Sequence, residues 1–550
     1  MLNYDYVADK MFVEHQFQKG QGRGPESSCL TTPDLETVFG FHRLAINGLN
    51  AAANQPLILD QVVLICNGEI YNYKQLYGMM KDARPTTESD CEVILHLFVR
   101  YGIDYTLSVL DGVFAFALLD RRGLDSRLYV ARDPYGVRPM YQWIDQKHNR
   151  LGFASELKML SEFARGGGGT VAQFPPGYKS VFLLQHLAQS TWFMEEPALP
   201  FALPAFTLPL PNFALPAAFA SDDLERVFQG IRNHFFDAVY KRCSTTERPV
   251  ACLLSGGLDS SAVTAVVCQF RKQHGLPPVE TYSIGMAGSQ DLVFARQVAD
   301  YLGTDHHEVL VTEQDFIDAV PYVVRAIESY DTTTVRASLG NWLLGKYIRE
   351  HSEAKVIFNG DGSDELMGGY LYMRQAPDAL EFDRECRRLL RDIHAFDVLR
   401  SDKCISCHGL EPRTPFLDRG WVQFYLSLPA TLRFKPTEKF LFRSAMQAAK
   451  VLPEAVLWRR KEAFSDGVSG TTRSLFQILQ ESQGQRDRPL LQESQGRHMT
   501  PTTLEQSWYR SIFEEAYPGC ETVVPYFWMP RYVEAHDASA RTLALYHDDV

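Results

Sequence analysis

Serine, glycine and aspartate lie together in one short stretch, residues 255–261, with the sequence SGGLDSS. The five residues before it, 250–254, are apolar, as in a short strand buried on both faces of a parallel sheet. The two glycines end this strand and an amphipathic helix follows, so free helix N–H groups and hydroxyls would surround an anion. Asp259 would repel a phosphate unless a divalent cation lay between them, and we therefore predict Mg²⁺ beside it. For a Gly-Gly pair alone, a turn capped by an aspartate would explain the pattern equally well.

The complete string resembles the PP-loop of the ATP pyrophosphatases, enzymes that split ATP between its α and β phosphates. The Walker loop GxxxxGK[ST] is a different phosphate-binding device and does not occur in this chain. The resemblance implies that ATP is a ligand. It also implies that its phosphates contact Ser255, Gly256, Gly257, Asp259, Ser260 and Ser261.

Helical and strand patterns alternate along the second part of the chain, from residue 221 onward. After the strand at 250–254, further strands are predicted at 280–286, 306–312 and 354–360. This alternation is typical of a doubly wound parallel sheet, whose ligands lie beyond the carboxyl ends of the strands. The residues at these ends that we expect to contact adenine and ribose are Leu254, Ile284, Asn359 and Gly360.

Two more carboxylates, Asp361 and Asp364, follow the last of these strands as Asp259 follows the first. A second carboxylate facing the same triphosphate is what a bridging Mg²⁺ requires, so we predict Asp259 and Asp364 as metal ligands. An Asp-Gly turn with an aspartate cap is the alternative for Asp361.

Residues 35–193 contain a run of predicted strands and one clear helix around 91–102. Polar residues at strand ends are the candidates for chemistry. Arg43 could clamp a carboxylate, and Glu69 and Asp90 could hold an ammonium. Asn67 with the N–H of Gly68 could form an oxyanion hole. Taken singly, each could be an ordinary capping or salt-bridge residue.

Together with strings such as NGEIYNY, TESDCEVI and ARDPYGVRPMY, these residues resemble the class II glutamine amidotransferase domain. The resemblance implies a four-layer αββα (Ntn-type) fold that hydrolyses glutamine to ammonia. It makes the five residues a glutamine pocket.

Four further strings, ESYDTTTVRAS, GDGSDELMGGY, EPRTPFLD and WRRKEAFSDGV, extend the likeness. With the PP-loop they resemble the glutamine-dependent asparagine synthetases over roughly residues 20 to 535. The resemblance implies that aspartate attacks the α-phosphate of ATP to give β-aspartyl-AMP, which ammonia then converts to asparagine. It assigns Asp361, Arg336 and Lys461 to catalysis, with Lys461 neutralising charge on the phosphate. It places Thr333, Thr334 and Gly369 at the aspartate site.

Two departures from the family pattern affect these expectations. The family's nucleophile is an amino-terminal cysteine that uses its own α-amine as base, whereas this sequence starts Met1-Leu2-Asn3 and its first cysteine is Cys29. We take Cys29 as incidental and expect the chain as written to use ammonium rather than glutamine. The second departure is Asp361, which stands where the family has a glutamate one methylene longer.

Composition limits the class of protein. A chain of 550 residues, 45% hydrophobic and 22% charged, has room for two or three domains, and a net charge of −12 disfavours nucleic acid as a partner. Ten cysteines are too sparse for a disulfide framework, so we predict a cytoplasmic protein. Residues 197–220 are uncharged and long enough to span a bilayer, but their prolines exclude a good membrane helix.

We therefore predict an amidotransferase-like domain over 1–193, a Pro/Ala/Leu-rich connector over 194–222 and a PP-loop synthetase domain over 223–550. The predicted partners are small molecules: aspartate, ATP, and glutamine or ammonia. A homodimer is expected, without a membrane partner. Two alternatives stay open, a catalytically impaired regulator and a ligase for another acid, such as a β-lactam synthetase relative. The tail beyond Tyr532 carries no recognised motif, and we expect it to fray.

Overall fold

A computed structural model describes residues 9–34, 37–165, 168–185, 191–201, 221–469, 473–484, 498–543 and 546. Within these ranges no helix combines the length and the apolar character needed to cross a bilayer. All ten cysteines are free thiols.

The first half of the chain is built from antiparallel strands. Its strands are β1 (Ser27–Thr31), β2 (Phe39–Arg43), β3 (Leu57–Leu59), β4 (Val62–Ile70), β5 (Gly112–Asp120), β6 (Ser126–Arg132), β7 (Tyr141–Asp145), β8 (Arg150–Ala154), β9 (Thr170–Gln173), β10 (Tyr178–Gln185) and β11 (Thr191–Pro200). Its helices are α1 (Lys10–Gln18), α2 (Tyr73–Met79), α3 (Glu92–Val109) and α4 (Ser161–Arg165). The strands form a six-stranded sheet in the order β11-β10-β6-β5-β4-β3, a three-stranded sheet β8-β7-β9 and the pair β1-β2.

Side-chain alternation along β4 explains the layers. Leu64 and Cys66 pack with α2 and α3 on one face of the large sheet, whereas Val63 faces Met140 and Phe174 in a second core between the sheets. On the far side of the small sheet, β7 packs against α1 and α4. The order helix, sheet, sheet, helix confirms the predicted αββα architecture.

Strand β11 extends the large sheet of the first domain beyond the limit that we predicted. We predicted that the connector begins at residue 194, but β11 continues the large sheet to Pro200 by pairing with β10 from Gln185 back to Tyr178. Proline is tolerated there because β11 is the edge strand, where an N–H is not needed for the ladder. Residues 202–220, the remainder of the predicted connector up to the next helix, lie outside the described residues.

The second half is a parallel α/β unit, as predicted. Its strands are β12 (Val250–Leu253), β13 (Glu280–Gly285), β14 (Asp305–Leu310), β15 (Val356–Phe358) and β16 (Glu411–Arg413). Its helices are α5 (Ser221–Ser244), α6 (Leu258–Gln273), α7 (Gln290–Leu302), α8 (Glu313–Ile327), α9 (Thr332–His351), α10 (Ser363–Met367), α11 (Ala379–Asp392), α12 (Asp397–Ser406), α13 (Arg419–Ser427), α14 (Ala430–Arg433), α15 (Phe440–Ala449), α16 (Glu454–Leu457), α17 (Phe464–Gly467), α18 (Leu475–Gly484) and α19 (Leu504–Ala516).

The strand order fixes where a ligand can bind. The sheet runs β14-β13-β12-β15-β16 with every neighbouring pair parallel, so the chain goes outward from β12 in one direction and then returns to its other side. Such a switch point leaves a crevice at the carboxyl ends of the two central strands. Here those strands are β12 and β15.

We expected the tail beyond Tyr532 to fray, but its described residues 533–543 pack against the rest of the protein. Asp537 pairs with Arg336, Arg541 pairs with Glu462, and Leu543 is buried. The sequence beyond Tyr532 carries no recognised motif, so the position of these residues depends on partners far away in the chain.

Candidate active sites

Two cavities of about 200 Å³ each contain most of the predicted site residues. The first opens at the carboxyl ends of β12 and β15, at the switch point. Predicted residues that line it are Leu254, Ser255, Asp259, Ser260, Ile284, Thr333, Thr334, Arg336, Asn359, Gly360, Asp361, Asp364 and Lys461. We call it the nucleotide cavity.

The two glycines of the PP-loop have different structural roles. Gly256 has φ +72°, and a Cβ there would lie 2.4 Å from the Ala295 nitrogen, so this glycine is required by the turn and by packing on α7. It is not among the cavity-lining residues. Gly257, in contrast, lines a small cleft continuous with the nucleotide cavity, and α6 starts directly after it with Leu258. Its open surroundings fit the close approach of a phosphate.

Hydroxyl groups hold the turn in place. The Ser260 hydroxyl accepts a hydrogen bond from the Ser255 N–H at 3.2 Å and lies 3.1 Å from the Ser255 hydroxyl. Ser261 is buried on α6, and within the described residues its Oγ has no hydrogen-bond partner. The structure therefore places Ser255 and Ser260 at the cavity and Ser261 behind it.

The two predicted metal ligands converge on one point. Lys439 Nζ lies 2.7 Å from Asp259 Oδ2 and 2.5 Å from Asp364 Oδ1, and Lys461 Nζ lies 2.6 Å from Asp364 Oδ2. Burial would raise the pKa of Asp364, but the two ammonium groups outweigh it and hold this pKa well below its usual value. The same carboxylates raise the pKa of Lys461 against the effect of its burial. Two carboxylates thus share one cation position.

Two glycines make room for this cluster. A Cβ on Gly369 would lie 2.0 Å from Asp364 Oδ1 and 2.1 Å from Lys439 Cε. A Cβ on Gly360 would lie 2.9 Å from the Cβ of Asp259. Gly369 was predicted at the aspartate site, and the structure places it against the acid–lysine cluster.

Asp361 lies in the cavity wall and has one free oxygen. Arg400 Nη2 donates to Asp361 Oδ1 at 3.0 Å and to Asp397 Oδ1 at 3.0 Å. These two carboxylates raise the pKa of Arg400 although its burial alone would lower it. Asp361 Oδ2 is buried without a partner among the described residues, which leaves it for a ligand.

The predicted aspartate-site residues begin helix α9. The Thr334 hydroxyl donates to the N-cap residue Asp331 at 2.7 Å, and the Thr333 hydroxyl contacts the Trp528 carbonyl at 3.5 Å. Arg336 is buried and pairs with two carboxylates, Glu505 and Asp537.

The second cavity lies in the amidotransferase-like half and contains all five predicted glutamine-pocket residues, so we call it the glutamine cavity. Burial raises the pKa of Asp90 to about 6, and burial together with Asp90 raises the pKa of Glu69 well above its usual value. Asn67 Nδ2 donates to Ser155 Oγ at 2.9 Å. Arg43 was predicted to clamp the glutamine carboxylate, and in this structure its guanidinium donates to Asn54 Oδ1 at 2.7 Å and to the carbonyls of Asn50 and Gly48.

The cysteines near this cavity differ in position. Cys29 pairs with Phe41 across the β1-β2 ribbon and is not among the lining residues. Cys66 and Cys91 do line the cavity and are buried. The neighbouring Cys66 thiol and burial raise the pKa of Cys91. A raised thiol pKa is the opposite of what a nucleophile needs.

Buried ion pairs connect the two halves. Arg413 on β16 lies 3.5 Å from Glu69 in the glutamine cavity, and Arg138 pairs with Asp402 on α12 at 3.0 Å. The same helix carries Arg400, which holds Asp361 in the nucleotide cavity.

Sequence reasoning missed several of these residues: Lys439, Arg400, Glu505 and Asp537. Lys439 has φ +56° just before α15, a strained position for a lysine, but that strain is visible only in the backbone. The other three reach the sites through tertiary packing and belong to no recognised motif.

An αββα layer structure with a polar cavity, followed by a parallel sheet with a PP-loop at its switch point, defines an amidotransferase-linked PP-loop enzyme. Comparison with known proteins gives the family. The family described as asparagine synthase matches residues 230–380 and 374–523, and the family described as glutamine amidotransferase domain matches residues 4–167.

Glutamine-hydrolyzing asparagine synthetase of Gallus gallus is 43% identical over 527 residues, which are 92% of this chain and 91% of that protein. The proteins of the same name from Mus musculus and Homo sapiens are each 39% identical over 545 residues, covering 95% and 96% of this chain and 94% and 95% of theirs. The chain belongs to the asparagine synthetase family, which confirms the resemblance seen in its motifs. Among solved structures, NMN synthetase from Francisella tularensis matches with a TM-score of 0.25 and 12% identity, over 57% of this chain and 100% of that one. A likeness that low supports no argument about this chain.

Proposed function

We propose that this protein is a carbon–nitrogen ligase that makes asparagine from aspartate with ATP, releasing AMP and pyrophosphate. The observation that carries the proposal is the PP-loop at the switch point, which shares one cavity with Asp361, Arg336 and Lys461. Neither alternative, a regulator or a ligase for another acid, is supported by the relatives.

ATP fits the nucleotide cavity with its base near the strand ends and its phosphates at the PP-loop. Leu254 and Ile284 are buried apolar residues beside the base position, and Asn359 offers an amide. The β and γ phosphates would lie in the cleft lined by Gly257, Ser260 and Lys461. Helix N–H groups and ammonium groups there favour negative charge.

The acid–lysine cluster also fits Mg²⁺. Asp259 and Asp364 direct hard oxygen ligands at one position, which Lys439 Nζ occupies in this structure, so Mg²⁺ would bind there in place of that ammonium, with phosphate oxygens and water completing an octahedron. Bound Mg²⁺ would neutralise phosphate charge and orient the leaving pyrophosphate. Lys439 and Lys461 supply positive charge at the same place from the chain itself.

Aspartate then reacts in two steps. An oxygen of its side-chain carboxylate attacks the α-phosphorus, the bond to the bridging oxygen breaks, and pyrophosphate leaves with that electron pair. Ammonia attacks the acyl carbon, AMP leaves with the acyl–oxygen pair, and a proton is lost to give asparagine. The free oxygen of Asp361 is available to contact a reactant, and Lys461 stabilises charge on the phosphate.

The glutamine cavity is the proposed source of ammonia in the family reaction. Asp90 and Glu69 would hold the glutamine ammonium, Arg43 its carboxylate, and Asn67 with the Gly68 N–H the oxyanion. The cytoplasmic location and the homodimer stay predictions.

An assay of AMP and pyrophosphate formation against a panel of acids tests the proposal. We expect both products with aspartate and an ammonium salt, in equal amounts with asparagine, and little turnover with glutamate or with no acid. Release of ADP, or equal turnover with several acids, would contradict the proposed reaction.

A further inference from the structure

We propose that residues 537–541 form a strap that fixes the position of Arg336 on α9 relative to the segment that follows Lys461. We also propose that Asp537 is a positioning residue for the aspartate-activating step. This inference rests on the proposed function of the nucleotide cavity. It concerns the tail that the sequence motifs left unexplained.

The first anchor of the strap is Arg336. Its Nη1 donates to Asp537 Oδ1 at 2.6 Å and its Nη2 to Asp537 Oδ2 at 2.9 Å, a two-pronged pair. Its Nε and Nη2 form a second such pair with Glu505 on α19, at 2.8 and 2.5 Å. Four of the five guanidinium N–H groups are therefore taken by partners in the described part of the chain, and one remains for a ligand oxygen.

Charge neutralisation alone does not account for Asp537. Glu505 is fully buried and already balances Arg336, so Asp537 adds a second negative charge to one cation with little exposed surface. A fork held on two edges cannot rotate, so the fifth N–H points in one fixed direction. The extra carboxylate thus fixes the direction of the remaining donor.

The second anchor is the loop that follows Lys461. The Ser539 hydroxyl donates to Asp466 at 3.1 Å, and Arg541 pairs with Glu462 at 2.6 Å. Glu462 is the residue next to Lys461, so this ion pair helps to fix the backbone from which the Lys461 side chain extends. One short segment therefore ties Arg336 on α9 to the loop that carries Lys461.

The strap is also part of the cavity wall. Ala538 and Ser539 of the strap line the nucleotide cavity together with Leu543, which follows it, and Ser539 and Leu543 are buried. A segment that only fastened the tail to the surface would not contribute to this wall. The position of the strap makes its ordering a condition for a complete aspartate site.

The test compares Asp537→Asn with Glu534→Gln. Asparagine at 537 keeps the size of the side chain and removes its charge, whereas Glu534 is an exposed acid three residues away on the same segment. Aspartate-dependent exchange between pyrophosphate and ATP reports the step. We expect kcat/KM for aspartate to fall by about tenfold or more in D537N, as for a misplaced donor, with the KM for ATP within about twofold of its wild-type value.

Two further variants separate positioning from folding. Asp537→Glu should recover part of the loss because it restores the charge, and Arg541→Gln should reproduce the loss by releasing the second anchor. Glu534→Gln should behave as wild type. Equal kcat/KM values for D537N and E534Q would overturn the inference, and so would a loss in D537N matched by an equal fall in thermal stability and in ATP affinity. Absence of aspartate-dependent exchange in the wild-type protein would instead refute the proposed function.

Discussion

Lys439 offers a sharp prediction because it stands where a Mg²⁺ ion was expected from sequence. Its ammonium lies 2.7 Å from Asp259 and 2.5 Å from Asp364, and its side chain is 1% exposed. Lys439→Met keeps the length of the side chain and removes the charge. Breaking a buried ion pair in this way costs about 3–5 kcal/mol. The lower end is expected, because Lys461 still pairs with Asp364 at 2.6 Å.

Asp259 and Asp364, left without the ammonium of Lys439, should then take up Mg²⁺ in its place. A ligand at about 100 times its dissociation constant stabilises the folded state by about 2.7 kcal/mol, which nearly offsets the loss. The thermal midpoint of K439M should therefore be lower than that of wild type without metal and should rise steeply with MgCl₂. Differential scanning calorimetry with and without MgCl₂ measures both effects.

Lys435→Met is the matched control, since Lys435 lies four residues earlier and forms no ion pair with any described residue. Its midpoint should be close to wild type and respond little to MgCl₂. A K439M midpoint equal to that of wild type, or one that is low but insensitive to MgCl₂, would refute the idea that Asp259 and Asp364 form a cation site.

Two other predictions concern single carboxylates. Asp361→Glu lengthens the side chain by one methylene, and aspartate-dependent pyrophosphate–ATP exchange should rise. The rise should reach up to about 10²-fold if the shorter residue misplaces its oxygen by about 1 Å. Unchanged or slower exchange would show that the contact between Arg400 and Asp361 already compensates for the shorter side chain. Asp90 must be ionised to hold an ammonium, and burial raises its pKa to about 6, so glutamine affinity should weaken as pH falls through that value. Titration calorimetry of glutamine binding across this range should show the dependence in wild type and not in Asp90→Asn.

Features encoded locally could be predicted from the sequence. The apolar run before SGGLDSS becomes β12, and the carboxylates after β12 and β15 meet because parallel strands end at one edge of a sheet. Period-two alternation in β4 likewise places Glu69 and Asn67 at a strand end beside the glutamine cavity. In each case a few consecutive residues determine where a side chain goes.

Features that depend on distant partners could not be predicted. Lys439 reaches Asp259 across 180 residues, and Asp537 reaches Arg336 across 201. A lone lysine or a short tail without a motif has no periodicity, and its position follows only from how the helices pack. Strand β11 was missed for a related reason, because its prolines suit an edge strand but resemble a linker.

The most direct test of the central claim follows an oxygen atom. Aspartate labelled with ¹⁸O in its side-chain carboxylate is incubated with the protein, ATP and an ammonium salt, and the AMP is analysed by mass spectrometry. If the carboxylate attacks the α-phosphate and ammonia later cleaves the acyl bond, each AMP formed carries one ¹⁸O atom. AMP without the label, or label appearing in inorganic phosphate, would contradict the reaction proposed for the nucleotide cavity.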